Sequence, residues 1–211
     1  MKLFIGVCNS QDSVPGCFFW SFVRLENTHS TEIYRSTHPW DVVRNNRIID
    51  KFLKSDCDVL AKMDIDQLYP RNYITSMTNN IERFKVVGPL IYDRWAANKF
   101  MPLMFDNVNE NFMPLEPMDI SSLTGIVKVP YAHTNLFYTR EVLESIPAPW
   151  YEAYATSDGL DRKNHVDFAF LDKINRAGFS VHIDLNTVVN HQTERLYATE
   201  KLRDVWQGSR L

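Results

Sequence analysis

Asp64 and Asp66 stand one residue apart, just past an apolar run at residues 59–63 and ahead of Pro70. Alternate side chains of a strand share a face, so an extended backbone there lets both carboxylates point the same way. Paired hard-oxygen ligands at the carboxyl end of a strand suit Mg²⁺ or Mn²⁺, with positions left for substrate phosphates. Ligands of open α/β sheets bind at that end of the strands. A second triplet, Asp56-Cys57-Asp58, precedes the apolar run and follows a helix expected to end near Lys54. It reads as a polar turn.

The elements that must hold these residues alternate along the first half of the chain. Apolar runs at 3–7, 59–63 and 84–92 predict strands, with a weaker one at 31–36. Helices are expected over 15–25, from Pro39 or Asp41 to Lys54, and over 70–79. This alternation predicts an α/β fold with a mostly parallel sheet and helices on both faces. Residues 98–130 are rich in Pro, Met and Asn without a clear period, and long irregular stretches of this kind are usually functional. Residues 124–139 predict one or two strands, and 140–146 a short helix stopped by Pro147 and Pro149. A helix over 164–177 ends at Gly178. Strands at 179–184 and 187–190 and a closing helix over 194–206 complete the chain.

At 211 residues the chain is long enough for a substantial core, and 45% hydrophobic and 13% aromatic residues make it globular. A net charge of −3 argues against nucleic-acid binding through bulk positive charge. Cys8, Cys17 and Cys57 lack zinc spacing and read as reduced thiols of a cytoplasmic protein. The apolar run at 3–8 is too short for a signal-peptide core or a membrane span. Phe18, Phe19, Trp20 and Phe22 share helical spacing and read as core, whereas Trp150 and Tyr151 are candidates to stack on a sugar or base.

Five segments follow one another in a distinctive order: Val43-Arg44-Asn45-Asn46-Arg47 ahead of 56–70; Thr139-Arg140-Glu141-Val142-Leu143; Val166-Asp167-Phe168 through Ala177-Gly178-Phe179; Val181-His182-Ile183-Asp184; and Val188-Val189-Asn190-His191. In order and spacing they resemble the GT-A glycosyltransferases, specifically the family-2-like group with small phage and bacterial members. The resemblance implies one GT-A domain over 1–211. Residues 1–97 would bind a nucleotide-diphosphate sugar such as a UDP-sugar, and 98–211 would build the acceptor side. It implies a Mn²⁺ or Mg²⁺ site at Asp64, Asp66 and His191. Cys8, Asn9 and Ser10 would lie where the nucleotide binds, with Asp64 also near the ribose. Arg44 and Asn45, in the first turns of a helix, suit a diphosphate or are simply a solvated face. The acceptor stays open among a glycan, a protein and a modified phage DNA base. If the chain is phage-encoded, it would act in the host cytoplasm. A loop at 101–118 would order over the donor.

The chain departs from the resembled pattern where inverting members begin a helix with an acidic pair. Asn164 and His165 hold those positions. His165 is one candidate general base, since an imidazole suits proton transfer near neutrality. Asp167 is the other, and a retaining reaction would need neither. Asn164 reads as a helix cap, and Asp158 and Asp161 are further carboxylates nearby. A non-catalytic nucleotide- or sugar-binding module of the same fold is an alternative. So is a metal-dependent nucleotidyltransferase, although residues 8–16 hold one Gly and no Lys or Arg to cradle a triphosphate.

Overall fold

The first apolar run forms β1 (Lys2–Cys8), buried from Leu3 onward because it lies inside a sheet covered on both faces. The computed structural model describes residues 1–10, 13–93, 101–112, 114–155, 157, 163–192 and 197–198. Next come α1 (Gly16–Phe22), β2 (Ser30–Ser36), α2 (Asp41–Lys54), β3 (Val59–Asp64), β4 (Gln67–Leu68), α3 (Tyr73–Phe84) and β5 (Val86–Ile91). The second half holds β6 (Met104–Val108), β7 (Pro114–Pro117), β8 (Ile126–Val129), β9 (Tyr131–Ala132), β10 (Phe137–Thr139) and α4 (Arg140–Glu144). The last described elements are α5 (Val166–Arg176), β11 (Val181–Gln192) and β12 (Tyr197–Ala198).

The main sheet has nine strands among the described residues, along the path β12-β11-β5-β10-β3-β1-β2, with β4 and β8 both paired to β11. Strands β1, β2 and β3 are mutually parallel, and β11 runs parallel to β5. The short β10 is antiparallel to both its neighbours, β3 and β5, and the edge strand β12 is antiparallel to β11. The expected mixed α/β architecture is the one observed, with β3 central and parallel to β1. Two apolar layers sandwich the sheet. One gathers Phe4, Ile48, Phe52, Leu60, Tyr138 and Phe170, and the other Ile5, Ala61, Met63, Tyr73, Met77 and Phe137. Gly6 lets α2 approach the sheet, since a Cβ there would collide with Ile48.

Some boundaries differ from the sequence reading. Pro70 does not start a helix; its carbonyl accepts the Tyr73 N–H at 3.0 Å in a turn, and α3 begins only there. The two strands expected at 179–190 are one strand, β11, with a register shift between Asp184 and Val188. Asp184 holds that irregularity by accepting from the Asn186 N–H at 3.0 Å and the Thr187 hydroxyl at 2.8 Å. The stretch expected to be irregular supplies β6 and β7, which join β9 in a three-stranded sheet, β7-β6-β9. Of the helix expected over 194–206 only Tyr197–Ala198 is described, and it is a strand paired with His191 and Gln192. The aromatic cluster of α1 divides: Phe18 is buried, whereas Phe19 and Trp20 are exposed.

Arg140 closes the carboxyl end of α2. Its guanidinium donates to the carbonyls of Phe52 (3.1 Å), Leu53 (3.1 Å), Ser55 (2.9 Å) and Cys57 (2.7 Å) while lying over the Phe52 ring. Phe52 and Leu53 lie in the last turn of α2, whose carbonyls have no intrahelical partners, and Ser55 and Cys57 follow it; the Phe52 carbonyl also accepts the Ser55 N–H at 3.0 Å. The Asp56 triplet beside it is a polar bend: Asp56 pairs with Lys2 and Asp58 accepts the Lys2 N–H at 2.7 Å. Among the described residues no helix is long and apolar enough to cross a membrane.

Candidate functional site

Asp64 is the last residue of β3 and stands opposite Cys8, the last residue of β1, so both strands deliver their carboxyl ends to one place. Beyond Asp64 the chain turns sharply, and Tyr69 fixes the turn. Its buried hydroxyl accepts the Asp64 N–H at 2.8 Å and sits 2.9 Å from Gln67 Oε1 and 3.1 Å from the Asp64 carbonyl. Burial holds the phenol pKa well above its ordinary value, so the group stays a hydroxyl.

The two aspartates do not share one strand face. Asp66 lies in the turn, and the two carboxylates meet different partners. Asp64 Oδ2 accepts from Asn135 Nδ2 at 2.7 Å, and its Oδ1 is 3.7 Å from Lys62 Nζ. Asp66 meets β11 instead. Its carbonyl accepts the Gln192 N–H at 2.7 Å, and its Oδ2 is 3.5 Å from His191 Nε2. The other ring nitrogen, His191 Nδ1, is 3.1 Å from the Tyr92 carbonyl, which can only accept. That bond gives Nδ1 the donor role and turns Nε2 towards the Asp66 carboxylate. Metal-ligating histidines are oriented in this way.

A cavity of about 490 Å³ opens beside these strand ends. Cys8 and Ser10 line it from β1, and Asp41, Arg44 and Asn45 from the start of α2. Lys62, Asp64, Ile65 and Asp66 form one wall, and His165, Val166 and Asp167 at the start of α5 another. Eight residues singled out from sequence therefore line one cavity: Cys8, Ser10, Arg44, Asn45, Asp64, Asp66, His165 and Asp167. Asn9 does not; it is buried, and its Nδ2 donates to the Ser13 carbonyl at 3.2 Å. His191 reaches the cavity wall through Asp66. Arg44 Nη1 is tied to the carbonyls of His38 and Pro39, both at 2.7 Å, which fixes the guanidinium at the cavity. Cys8 donates to Asn45 Oδ1 at 3.1 Å, and burial pushes its pKa up to about 12.

Asp167 Oδ1 accepts the Thr134 hydroxyl at 2.8 Å, so a bond from a neighbouring element orients this carboxylate. His165 packs its ring against Phe168 (centroids 4.7 Å apart), and its buried Nδ1 has no hydrogen-bond partner among the described residues. Asn164 does not cap the helix: His165 holds that position. The Asn164 side chain instead staples the preceding loop, accepting from the Tyr154 N–H and donating to the Glu152 carbonyl, both at 2.8 Å. Asp158 and Asp161 lie outside the described residues. Tyr151 cannot stack on a ligand, because it is buried against Phe170 at 4.2 Å between centroids. Trp150 is half-buried, and its indole donates to the Leu143 carbonyl at 3.3 Å.

Lys62 was hidden inside a strand that reads as apolar. Its ammonium is buried against Asn135 Oδ1 (2.9 Å) and Thr134 Oγ1 (3.3 Å). Burial alone would lower its pKa, but Asp64, Cys8 and Asp167 raise it on balance, so the group is a fixed cation. The only signal in the sequence was a lysine where a fully buried strand should hold an apolar residue.

Two cations, Arg44 and Lys62, face four carboxylates, Asp41, Asp64, Asp66 and Asp167, a formal balance of 2 − 4 = −2. Such a wall repels a diphosphate unless a cation comes with it. Among the described residues no three His, Cys, Asp or Glu side chains are grouped to hold a metal. Among the described residues Asp66 and His191 offer a carboxylate and an oriented imidazole nitrogen. That set fits Mg²⁺ or Mn²⁺ completed by phosphate and water, the usual pattern for these ions.

No protein-family description and no curated protein sequence matches the chain. Among solved structures, A197 from STIV is similar over 93% of this chain and 88% of that one, at 17% identity and a TM-score of 0.61. Staphylococcal (S. aureus) TarS 1–349 was solved in complex with UDP and with UDP-GlcNAc. The two structures align over 93% of this chain and 59% and 57% of theirs, at 11% and 12% identity and TM-scores of 0.48 and 0.47. The TarS likeness is too distant to carry an argument. The sheet order and the likeness to A197 give this chain a GT-A-like fold.

Proposed function

We propose that the chain is a metal-dependent glycosyltransferase that moves a sugar from a nucleoside diphosphate donor, a UDP-sugar, to an acceptor hydroxyl. The observation that carries this reading is the pairing of Asp66 with His191, whose Nε2 is turned to that carboxylate by the bond at Nδ1, beside an acidic cavity that also holds Asp167. Asp66 and His191 would hold a divalent ion, which would supply positive charge to the leaving diphosphate. Arg44, pinned at the start of α2, meets the same diphosphate, and Cys8, Asn45 and Ser10 bound the nucleotide end. Asp167 takes the proton of the acceptor hydroxyl as the acceptor oxygen bonds to the anomeric carbon. The bond from that carbon to the diphosphate oxygen breaks, and its electron pair leaves with the diphosphate. Asp167 is favoured over His165 because Thr134 orients it, as a second group orients a working base.

Donor turnover tests the proposal. The protein is incubated with Mn²⁺ and a panel of UDP-sugars, water serving as acceptor, and UDP release is followed. At least one UDP-sugar should be hydrolysed, and Asp167→Asn should slow this by about 10²–10⁴-fold, the usual contribution of a general base. UDP binding without release from any nucleotide sugar would make the chain a binding module instead.

A further inference from the structure

Among the described residues that line the cavity, Lys62 is a buried charge to which glycosyl transfer assigns no task. It comes from the middle of β3 and is 5% exposed. A buried ammonium is unfavourable unless it is paired and hydrogen-bonded, and its partners here are unusual. Lys62 Nζ donates to Asn135 Oδ1 at 2.9 Å, and Asn135 Nδ2 in turn donates to Asp64 Oδ2 at 2.7 Å. Lys62 Nζ also donates to Thr134 Oγ1 at 3.3 Å, and Thr134 gives its single hydroxyl proton to Asp167 Oδ1 at 2.8 Å. Both relays are polarised in one direction, from the ammonium to a carboxylate. Thr134 accepts from Lys62 on a lone pair, which leaves its one proton for Asp167, and Asn135 uses opposite ends of one amide. The relays diverge from one nitrogen to two walls of the cavity, one at the end of β3 and one at the start of α5.

We propose that Lys62 is the positioning residue of both half-sites, orienting Asp64 on the donor side through Asn135 and Asp167 on the acceptor side through Thr134. The inference rests on the glycosyl-transfer reading. It differs from a plain buried ion pair in that its two branches serve different steps. Donor binding belongs to the Asn135 branch, and proton removal belongs to the Thr134 branch.

Steady-state donor hydrolysis with Mn²⁺ and the UDP-sugar that wild type turns over separates the branches. Thr134→Val should lower kcat about tenfold or more with the donor KM nearly unchanged, since small misplacements of a base are costly. Asn135→Leu should raise the donor KM about tenfold with a smaller change in kcat. Lys62→Met should do both. Thermal melts report folding, and if Lys62→Met does not fold, the Thr134 and Asn135 variants decide. The inference is overturned if either single-branch variant stays within about twofold of wild type, or if both variants shift kcat and KM alike. A wild-type protein that neither binds UDP nor releases it from any donor would remove the underlying reading and this inference together. Failure confined to the variants would leave that reading standing.

Discussion

Replacing Tyr69 with phenylalanine removes one oxygen atom and loosens the Asp64–Asp66 turn. The hydroxyl is the acceptor for the Asp64 N–H at 2.8 Å and reaches Gln67 Oε1 at 2.9 Å. Tyr69 is 4% exposed and Gln67 3%, so water has little access to either bond. A buried group left without its partner costs about 1–3 kcal/mol. Two such groups give an expected loss of about 2–4 kcal/mol, measured as the change in unfolding free energy in urea. The same turn presents Asp66 to His191, so UDP affinity in Mn²⁺ should weaken about tenfold, or about 1.4 kcal/mol. Tyr73→Phe is the control. The Tyr73 hydroxyl is buried without a hydrogen-bond partner, so its loss should be neutral or stabilising. If Tyr69→Phe is within about 0.5 kcal/mol of wild type, the range of ordinary surface substitutions, the hydroxyl does not hold the turn.

Three further outcomes follow from the packing. His133 is buried, and burial lowers its pKa to about 4 while its Nε2 lies 2.9 Å from the Pro89 carbonyl. Its folded pKa is depressed, so the stability it contributes is present above about pH 6.5 and is lost as pH falls towards 4, by on the order of 3 kcal/mol. His133→Gln should flatten that acid limb in urea melts taken from pH 7 to 4. Cys8, with its thiol proton held by burial up to about pH 12, should resist iodoacetamide at pH 8 in the native protein, whereas the half-buried Cys17 should react first. Arg140→Ala should cost about 2–4 kcal/mol by removing the donor that the Leu53, Ser55 and Cys57 carbonyls share with Phe52, at and just past the end of α2, and Arg140→Lys should recover little because an ammonium lacks the planar fork.

The parts of the site that were legible in sequence are those set by local rules. Asp64 could be placed at a strand end because residues 59–63 are apolar but for Lys62, and Arg44 in a first turn because Pro39 and Asp41 announce α2. The resemblance brought His191 to Asp66, which composition alone would not have done. The illegible parts depend on distant neighbours. Lys62 is explained by Thr134 and Asn135, 72 and 73 residues away. Tyr151 looked like a surface aromatic, but Asn46, 105 residues away, bonds both its carbonyl and its N–H and holds it in the core. The three-residue β10 is too short to carry a period, yet it enters the middle of the sheet and sets Thr134 and Asn135 beside β3. Tyr69 has partners close in sequence, but a hydroxyl-bonded turn leaves no compositional mark.

The central claim is that nucleotide binding runs through a divalent ion held by Asp66 and His191. Calorimetric titration of UDP into the protein, with Mn²⁺ or with EDTA, measures it directly. The account predicts binding in Mn²⁺ that is lost in EDTA and weakened about tenfold or more, at least 1.4 kcal/mol, in both Asp66→Ala and His191→Ala. Equal affinity with and without metal, or wild-type affinity in both variants, would contradict it.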